Sequence, residues 1–287
     1  MPAARVQVDL VATRRRRARL QRYVLSDLLD ERHRFVCEHQ AACRASVRAS
    51  DAFREATMTH LGRRYDLLLD GKALRVVVVG QESGLPAAGA GVGVGRRVSL
   101  AERYAQIYDD AGLSRSYYAT PLRRGRNPHM RGTTSVLRIL FGKDLGSAHQ
   151  QEYVRPVSGR PFHLFDGFAL VNRLLCSAGP AGGSQGRSTP TMRANCLDHF
   201  AVTLRILDPT IVVLQGSAVR LWARELLTPD RTYTDTLFST QLHARRVLVC
   251  AFSHPSARGP HRWGDDLSSP YLTDVVYPTL RSALRRL

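Results

Sequence analysis

Four consecutive valines, Val76 to Val79, end at Gly80. A β-branched run with apolar residues at odd and even positions alike has no wet face, so it suits a strand covered on both sides in a parallel sheet. Parallel strands need crossovers, and the rest of the chain supplies them. Three further strand candidates follow at 168–171, 211–214 and 246–252, and helical patterns occupy 196–207 and 218–227. This alternation predicts a doubly wound α/β fold. The expected form is a three-layer α/β/α sandwich with a central, mostly parallel four-stranded sheet, plus N-terminal helices.

The core is expected over 71–287, with an insertion at about 88–165. That insertion holds the run Gly89 to Gly95, a helical pattern at 99–111 and a basic Gly/Pro/Asn-bearing loop at 123–131; a second Gly-rich linker covers 178–186. Residues 1–70 read as a helical, basic region carrying a Cys pair. Apolar residues recur at helical spacing over 18–29 and 52–61, and no proline occurs between Pro2 and Pro86. Arg14 to Arg17 read as a solvated arm, or in a sharper reading as a contact to a DNA backbone. Gly89 to Gly95 is no phosphate loop, because no Gly-Lys-Ser/Thr follows and the run starts several residues past the strand.

The formal net charge is +18, and only Lys72 and Lys143 are lysine, so nearly all 42 basic residues are arginine. A GC-rich genome explains arginine in place of lysine. It does not explain 42 basic residues against 24 acidic ones. Nucleic acid is the natural partner of such an excess. No apolar stretch approaches a bilayer span, and the N-terminus has no secretory pattern. A cytosolic bacterial protein, monomeric and bound to DNA rather than to membrane, is the expectation. Five cysteines then read as thiols or metal ligands rather than disulfides.

In open α/β sheets ligands bind beyond the C-terminal strand ends. Gly80 to Gly84, Asn172, Gln215-Gly216 and His254 all fall at such ends, so the pattern gathers them around one crevice. The chain resembles the uracil-DNA glycosylase superfamily in four ordered places: Gly80-Gln81-Glu82-Ser83-Gly84, Asn172-Arg173-Leu174-Leu175-Cys176, Cys196 with the helix and strand leading to Gln215-Gly216, and His254-Pro255-Ser256. The resemblance covers roughly residues 75–285. It is closest to the iron–sulfur-containing bacterial branch.

The resemblance implies a monofunctional glycosylase that hydrolyses the N-glycosidic bond of a flipped base. Glu82 would be the carboxylate that stabilises the sugar cation and orients water. His254 would hold the charge developing on the base. Asn172 would read the pyrimidine edge, with Gln81 and Gly84 beside it. Phe165 and Phe168 are candidates to stack on the base, with Tyr104 a third. Ser256, Arg258 and Arg262 would contact DNA. Asp166, Asp265 and Asp266 read as surface or turn acids. Ser83 departs from the usual proline, and Gly84 leaves open the space beside pyrimidine C5. Uracil, or a 5-modified pyrimidine such as the glucosylated hydroxymethylcytosine of phage DNA, therefore stands as substrate, in repair or in anti-phage defence.

Cys37, Cys43, Cys176 and Cys196 match the order of ligands of a [4Fe-4S] cluster, although the first pair is Cys-x5-Cys rather than the tighter form. Zinc with His33 or His39, and free buried thiols, remain open beside it. Cys250 falls mid-strand and reads as core. Two rival functions are weighed: a glycosylase-like protein that binds or crosslinks DNA lesions without turnover, and an α/β hydrolase acting on free nucleosides or nucleotides.

Overall fold

A computed structural model describes residues 5–32, 34–55, 59–81, 128–146, 149–180 and 186–287. Their centre is a mixed seven-stranded sheet. In chain order its strands are β1 (His60–Leu61), β2 (Val76–Gly80), β3 (Phe168–Asn172), β4 (Ile211–Gln215), β5 (Arg231–Thr234), β6 (Leu237–Leu242) and β7 (Arg245–Phe252), and they lie in the order β5-β6-β7-β4-β2-β3-β1. β7, β4, β2 and β3 run parallel to their neighbours. β1 joins β3 antiparallel, and β5 and β6 extend the other side antiparallel. The four expected strands are thus the middle of a wider sheet. Its flanks are three strands that the hydropathy pattern did not show.

The valine run explains the layering. Val77 and Val79 face one core with Ala169, Val171, Val212 and Leu214. Val76 and Val78 face a second with Phe168, Ile211, Val213 and Cys250. Every residue of β2 is buried, which is why both phases of the strand are apolar.

The first core is closed by α1 (Leu10–Tyr23), which continues as a wider turn through Val24–Leu28 and buries Leu20, Val24 and Leu28 at four-residue spacing. The second is closed by α2 (Pro128–Leu140), buried along most of its length. α3 (Pro190–Leu207) and α4 (Ser217–Ala223) add to the first core, and α5 (Tyr277–Arg286) to the second. α3 starts about two turns before Cys196, where Thr189 caps the Met192 amide at 3.1 Å and Pro190 opens the first turn.

Two expectations change. Arg14 to Arg17 are not an arm. They form the middle of α1, capped by Asp9. Arg16 clamps Asp66 with two bonds of 2.9 and 3.2 Å, and Arg17 donates to the Leu61 carbonyl at 3.2 Å. Residues 52–61 are not a helix either. Asp51–Arg54 pairs with Ser177–Pro180, and β1 pairs with the edge of β3. Pairing along an available edge satisfies more backbone groups than one short helix could, and a weak helical pattern yields to it. Gly62 lets the chain lie this close, since a Cβ there would stand 2.3 Å from the Asp166 carbonyl oxygen. The pattern at 99–111 and the run Gly89 to Gly95 lie outside the described residues. No helix among the described residues is long and apolar enough to cross a membrane.

Candidate active site

The C-terminal ends of β2, β3, β4 and β7 meet in one crevice. After Asn172 the chain stays beside β2: Arg173 and Leu174 donate backbone bonds to the carbonyls of Gly80 and Gln81 at 2.8 and 2.9 Å. Gly80 and Asn172 are register partners. A Cβ on Gly80 would lie 3.0 Å from Asn172 Oδ1 and 3.2 Å from His129 Cε1. That glycine therefore allows three functional groups to crowd one spot. Gln81 and Asn172 are both partly buried there. Glu82, Ser83, Gly84 and Tyr104 lie outside the described residues.

His129 is the residue that sequence reasoning missed. It sits in the first turn of α2, within a stretch read as a basic loop. The available signal was Pro128, a favoured first helical residue, followed by Met130, Leu137 and Phe141 at helical spacing. Its ring stacks beside that of His254, with centroids 6.0 Å apart and planes 24° apart.

Both rings are held in one tautomer. Gln215 is fully buried at the end of β4. Thr133 N–H can only donate and the His129 carbonyl can only accept, which fixes the amide orientation. The Gln215 nitrogen then donates to His129 Nδ1 at 2.8 Å, and its oxygen accepts from Thr133 N–H at 3.1 Å. An Nδ1 that accepts leaves the proton of a neutral imidazole on Nε2. Burial, then the nearby charge of His254, pushes the His129 pKa down to about 3. His254 repeats the arrangement: Ser256 N–H donates to its Nδ1 at 3.1 Å, and the Ser256 hydroxyl lies 2.6 Å from the same nitrogen. Burial also lowers the His254 pKa. The crevice thus holds two neutral imidazoles, each with Nε2–H as its free donor.

The loop carrying His254 is fixed from both sides. Trp263 Nε1 donates to the Ser253 carbonyl at 2.9 Å, and the Ser253 hydroxyl donates to the His261 carbonyl at 2.7 Å. α2 presses on it at Gly132, where a Cβ would stand 2.3 Å from Pro255 Cγ and 3.0 Å from Trp263 Cη2. Between α2 and this loop opens a cavity of about 380 Å³, lined by Arg131, Pro255, Ser256, Arg258, Arg262 and Trp263. Arg258 and Arg262 are exposed. Three arginines on one cavity suit an anionic backbone.

The structure does not bring Phe165 and Phe168 to the crevice. Both are fully buried, with rings 5.8 Å apart, and Phe168 begins β3 at the end opposite Asn172. Asp166 lies at that same end and pairs with Arg64 at 3.6 Å. Asp266 accepts from Ser268 N–H in a turn. Cys250 is buried in the second core.

The other four cysteines gather at a second place, between the Cys37–Cys43 stretch, the end of β3 and α3. All are buried. Cys43 and Cys196 share an apolar cluster with Leu174, Ala178 and Met192. The charges of Cys196 and Cys43 reach Cys37, and Cys37 Sγ lies 3.3 Å from His199 Nε2. Among the described residues no three His, Cys, Asp or Glu side chains stand ready to share one ion. His39 is occupied with Glu38 at 3.4 Å, and His33 lies outside the described residues. A zinc site needs its ligands converged on one centre, whereas a four-iron cluster gives each thiolate its own iron. Four buried cysteines spread around one apolar pocket, with Cys196 accepting from the Leu175 and Cys176 amides, fit the donor set of such a cluster.

Compared with known protein families and with curated proteins, the chain matches no family model and no curated protein. The fold and the site define an α/β protein with a mixed seven-stranded sheet and a polar, histidine-lined crevice at its parallel strand ends.

Proposed function

We propose that the protein is a monofunctional DNA glycosylase that acts on a flipped uracil or 5-modified pyrimidine and leaves an abasic site. The observation that carries this reading is the pair of neutral imidazoles, His129 and His254, beside Asn172 in one crevice. Their fixed Nε2–H groups suit an anion that appears only as the bond breaks. The C1′–N1 bond cleaves with its electron pair going to the base, and water oxygen bonds to C1′ as its proton is released. Asn172 offers a donor and an acceptor to the Watson–Crick edge. Glu82, two residues past the end of β2, is the carboxylate proposed to orient the water. Gly84 leaves room at C5. Gln81 lines the base site, and Ser256, Arg258 and Arg262 grip the DNA backbone at the arginine-lined cavity. The finer architecture proposed is the three-layer sandwich, with the four parallel strands as its centre.

Cys37, Cys43, Cys176 and Cys196 would hold a [4Fe-4S] cluster, which when bound supplies a tie between the N-terminal residues, the end of β3 and α3. The biological setting proposed is bacterial and cytosolic: base-excision repair, or defence against phage with glucosylated hydroxymethylcytosine in their DNA.

Duplexes containing uracil, hydroxymethylcytosine or its glucosylated form, treated with the protein and then with alkali, test the reading. Scission at the modified position is expected. Its absence on every duplex, with free nucleosides cleaved instead, would favour the nucleoside hydrolase reading. Stoichiometric retention of DNA without product would favour the binding protein. The Glu82→Gln variant should lose about 10²- to 10⁴-fold in rate, the range for a positioned acid–base group.

A further inference from the structure

Arg173 follows Asn172 directly, and its side chain turns away from the crevice into the protein. It is 1% exposed. Its Nη2 donates to the Arg193 carbonyl at 3.1 Å, and its guanidinium lies 5.4 Å from the ring centroid of Phe200. Its Nε and Nη1 are buried with no hydrogen-bond partner. No carboxylate pairs with it. Glu225, an exposed residue, reaches it only through the electrostatic field. A buried cation without a buried anion is costly.

The other negative group whose field reaches Arg173 is the sulfur of Cys196. Cys196 accepts from the backbone amides of Leu175 and Cys176. Two amides and a guanidinium therefore surround a sulfur that is otherwise packed among Leu174, Ala178 and Met192. Such an arrangement has no use for a neutral thiol. It suits a thiolate, and a thiolate in an apolar pocket is sustained by a metal.

We propose that Arg173 is the built-in counter-cation of the cysteine pocket, balancing the negative charge of an iron–sulfur centre held by Cys37, Cys43, Cys176 and Cys196. The inference rests on the cluster assignment made above and on nothing in the glycosylase assignment. Arg173 acts on the centre through space and is a positioning residue. Its charge favours the more negative, reduced state of the centre, and it leaves the metal-free protein with an uncompensated buried cation.

The test uses the full chain and two variants, Arg173→Met, which keeps the stem and removes the charge, and Arg173→Lys, which keeps the charge. Each is reconstituted anaerobically with ferrous iron and sulfide. Iron and sulfide per chain, visible absorbance, midpoint potential and Tm with and without iron are measured. The wild type is expected to take up iron and sulfide in equal number. Arg173→Met should bind less, lose it faster and show a lower midpoint potential, and Arg173→Lys should restore part of each. Without iron the sign reverses: Arg173→Met should have a higher Tm than the wild type. A wild type that takes up no iron would overturn the proposal. So would an Arg173→Met protein with unchanged iron content and potential, or one with a Tm lowered equally in both states. These readouts need no DNA substrate, so their failure and the failure of the glycosylase reading are told apart.

Discussion

The two crevice histidines make different demands on their neighbours. His254 takes its orientation from Ser256, two residues away, so the local motif fixes the ring wherever the loop goes. His129 takes its orientation from Gln215, on a strand 86 residues distant in the chain and held by parallel pairing on both sides. Replacing His129 with Phe keeps the ring and removes the donor. The expected result is a loss of about 10²- to 10³-fold in single-turnover base release, as for one donor of an oxyanion site, with DNA affinity little changed. Base release unchanged within a factor of three would remove His129 from the chemistry. His254 and Asn172 were legible in the sequence because each ends a strand or a short motif. His129 was not, because its helix opens inside a segment rich in Arg, Gly and Asn, and Gln215 was legible as a strand end but not as the group that fixes another residue's tautomer.

Among the elements, the parallel strands were readable and the β6–β7 hairpin was not. The four parallel strands are buried on both faces and need apolar residues throughout. The hairpin turns at His243-Ala244, both with positive φ, 49° and 63°. Sequence rules look for Asn-Gly at such a turn, because glycine and asparagine adopt this conformation cheaply. Ala244 carries the strain without the signal. Ala244→Gly should therefore raise stability by about 0.5–1 kcal/mol, relief of left-handed strain offset in part by the freedom of glycine in the unfolded chain. Urea unfolding measures it, and a loss of stability would contradict the turn geometry. The packing of α2 on the His254 loop gives the opposite case. Gly132→Ala adds a methyl where Pro255 and Trp263 already stand. A cost of about 1–3 kcal/mol is expected. Base release should fall as well, since the displaced loop carries His254. A variant with normal stability and rate would mean that α2 does not set the loop.

For the molecule as a whole, charge and burial set a pH window. His60 lies in an apolar site against Phe168 and bonds the Phe165 carbonyl at 2.9 Å; burial is the main cause that lowers its pKa to about 4. His129 is lowered to about 3. Both rings are neutral in the folded protein at pH values where the unfolded chain, with histidine near 6.5, binds protons. Below about pH 6.5 the unfolded state therefore gains protons that the folded state refuses, so stability is present above that pH and is lost as the pH falls toward 4 and 3. The slope should approach about 1.4 kcal/mol per pH unit for each histidine inside the window. Denaturant titrations at pH 7, 6 and 5 measure it. His60→Gln should flatten the slope and leave the crevice untouched. An equal slope in wild type and variant would mean that His60 is already charged in the folded protein.

The close approach of Gly80 to His129 has a consequence for how such a protein can diversify. The chain leaves β2 at Gln81 and returns at Pro128, and the two points of departure and return stand in contact range of each other. Residues 82–127 thus connect ends that the two cores have already joined. Doubling the length of a connection between joined ends costs only about 0.6 kcal/mol. The stretch can be shortened, lengthened or exchanged for another with little effect on folding, while its first residue stays beside the glycosidic bond and its last beside His129. New substrates can be tried at that junction as grafts, and the sheet beneath them need not change.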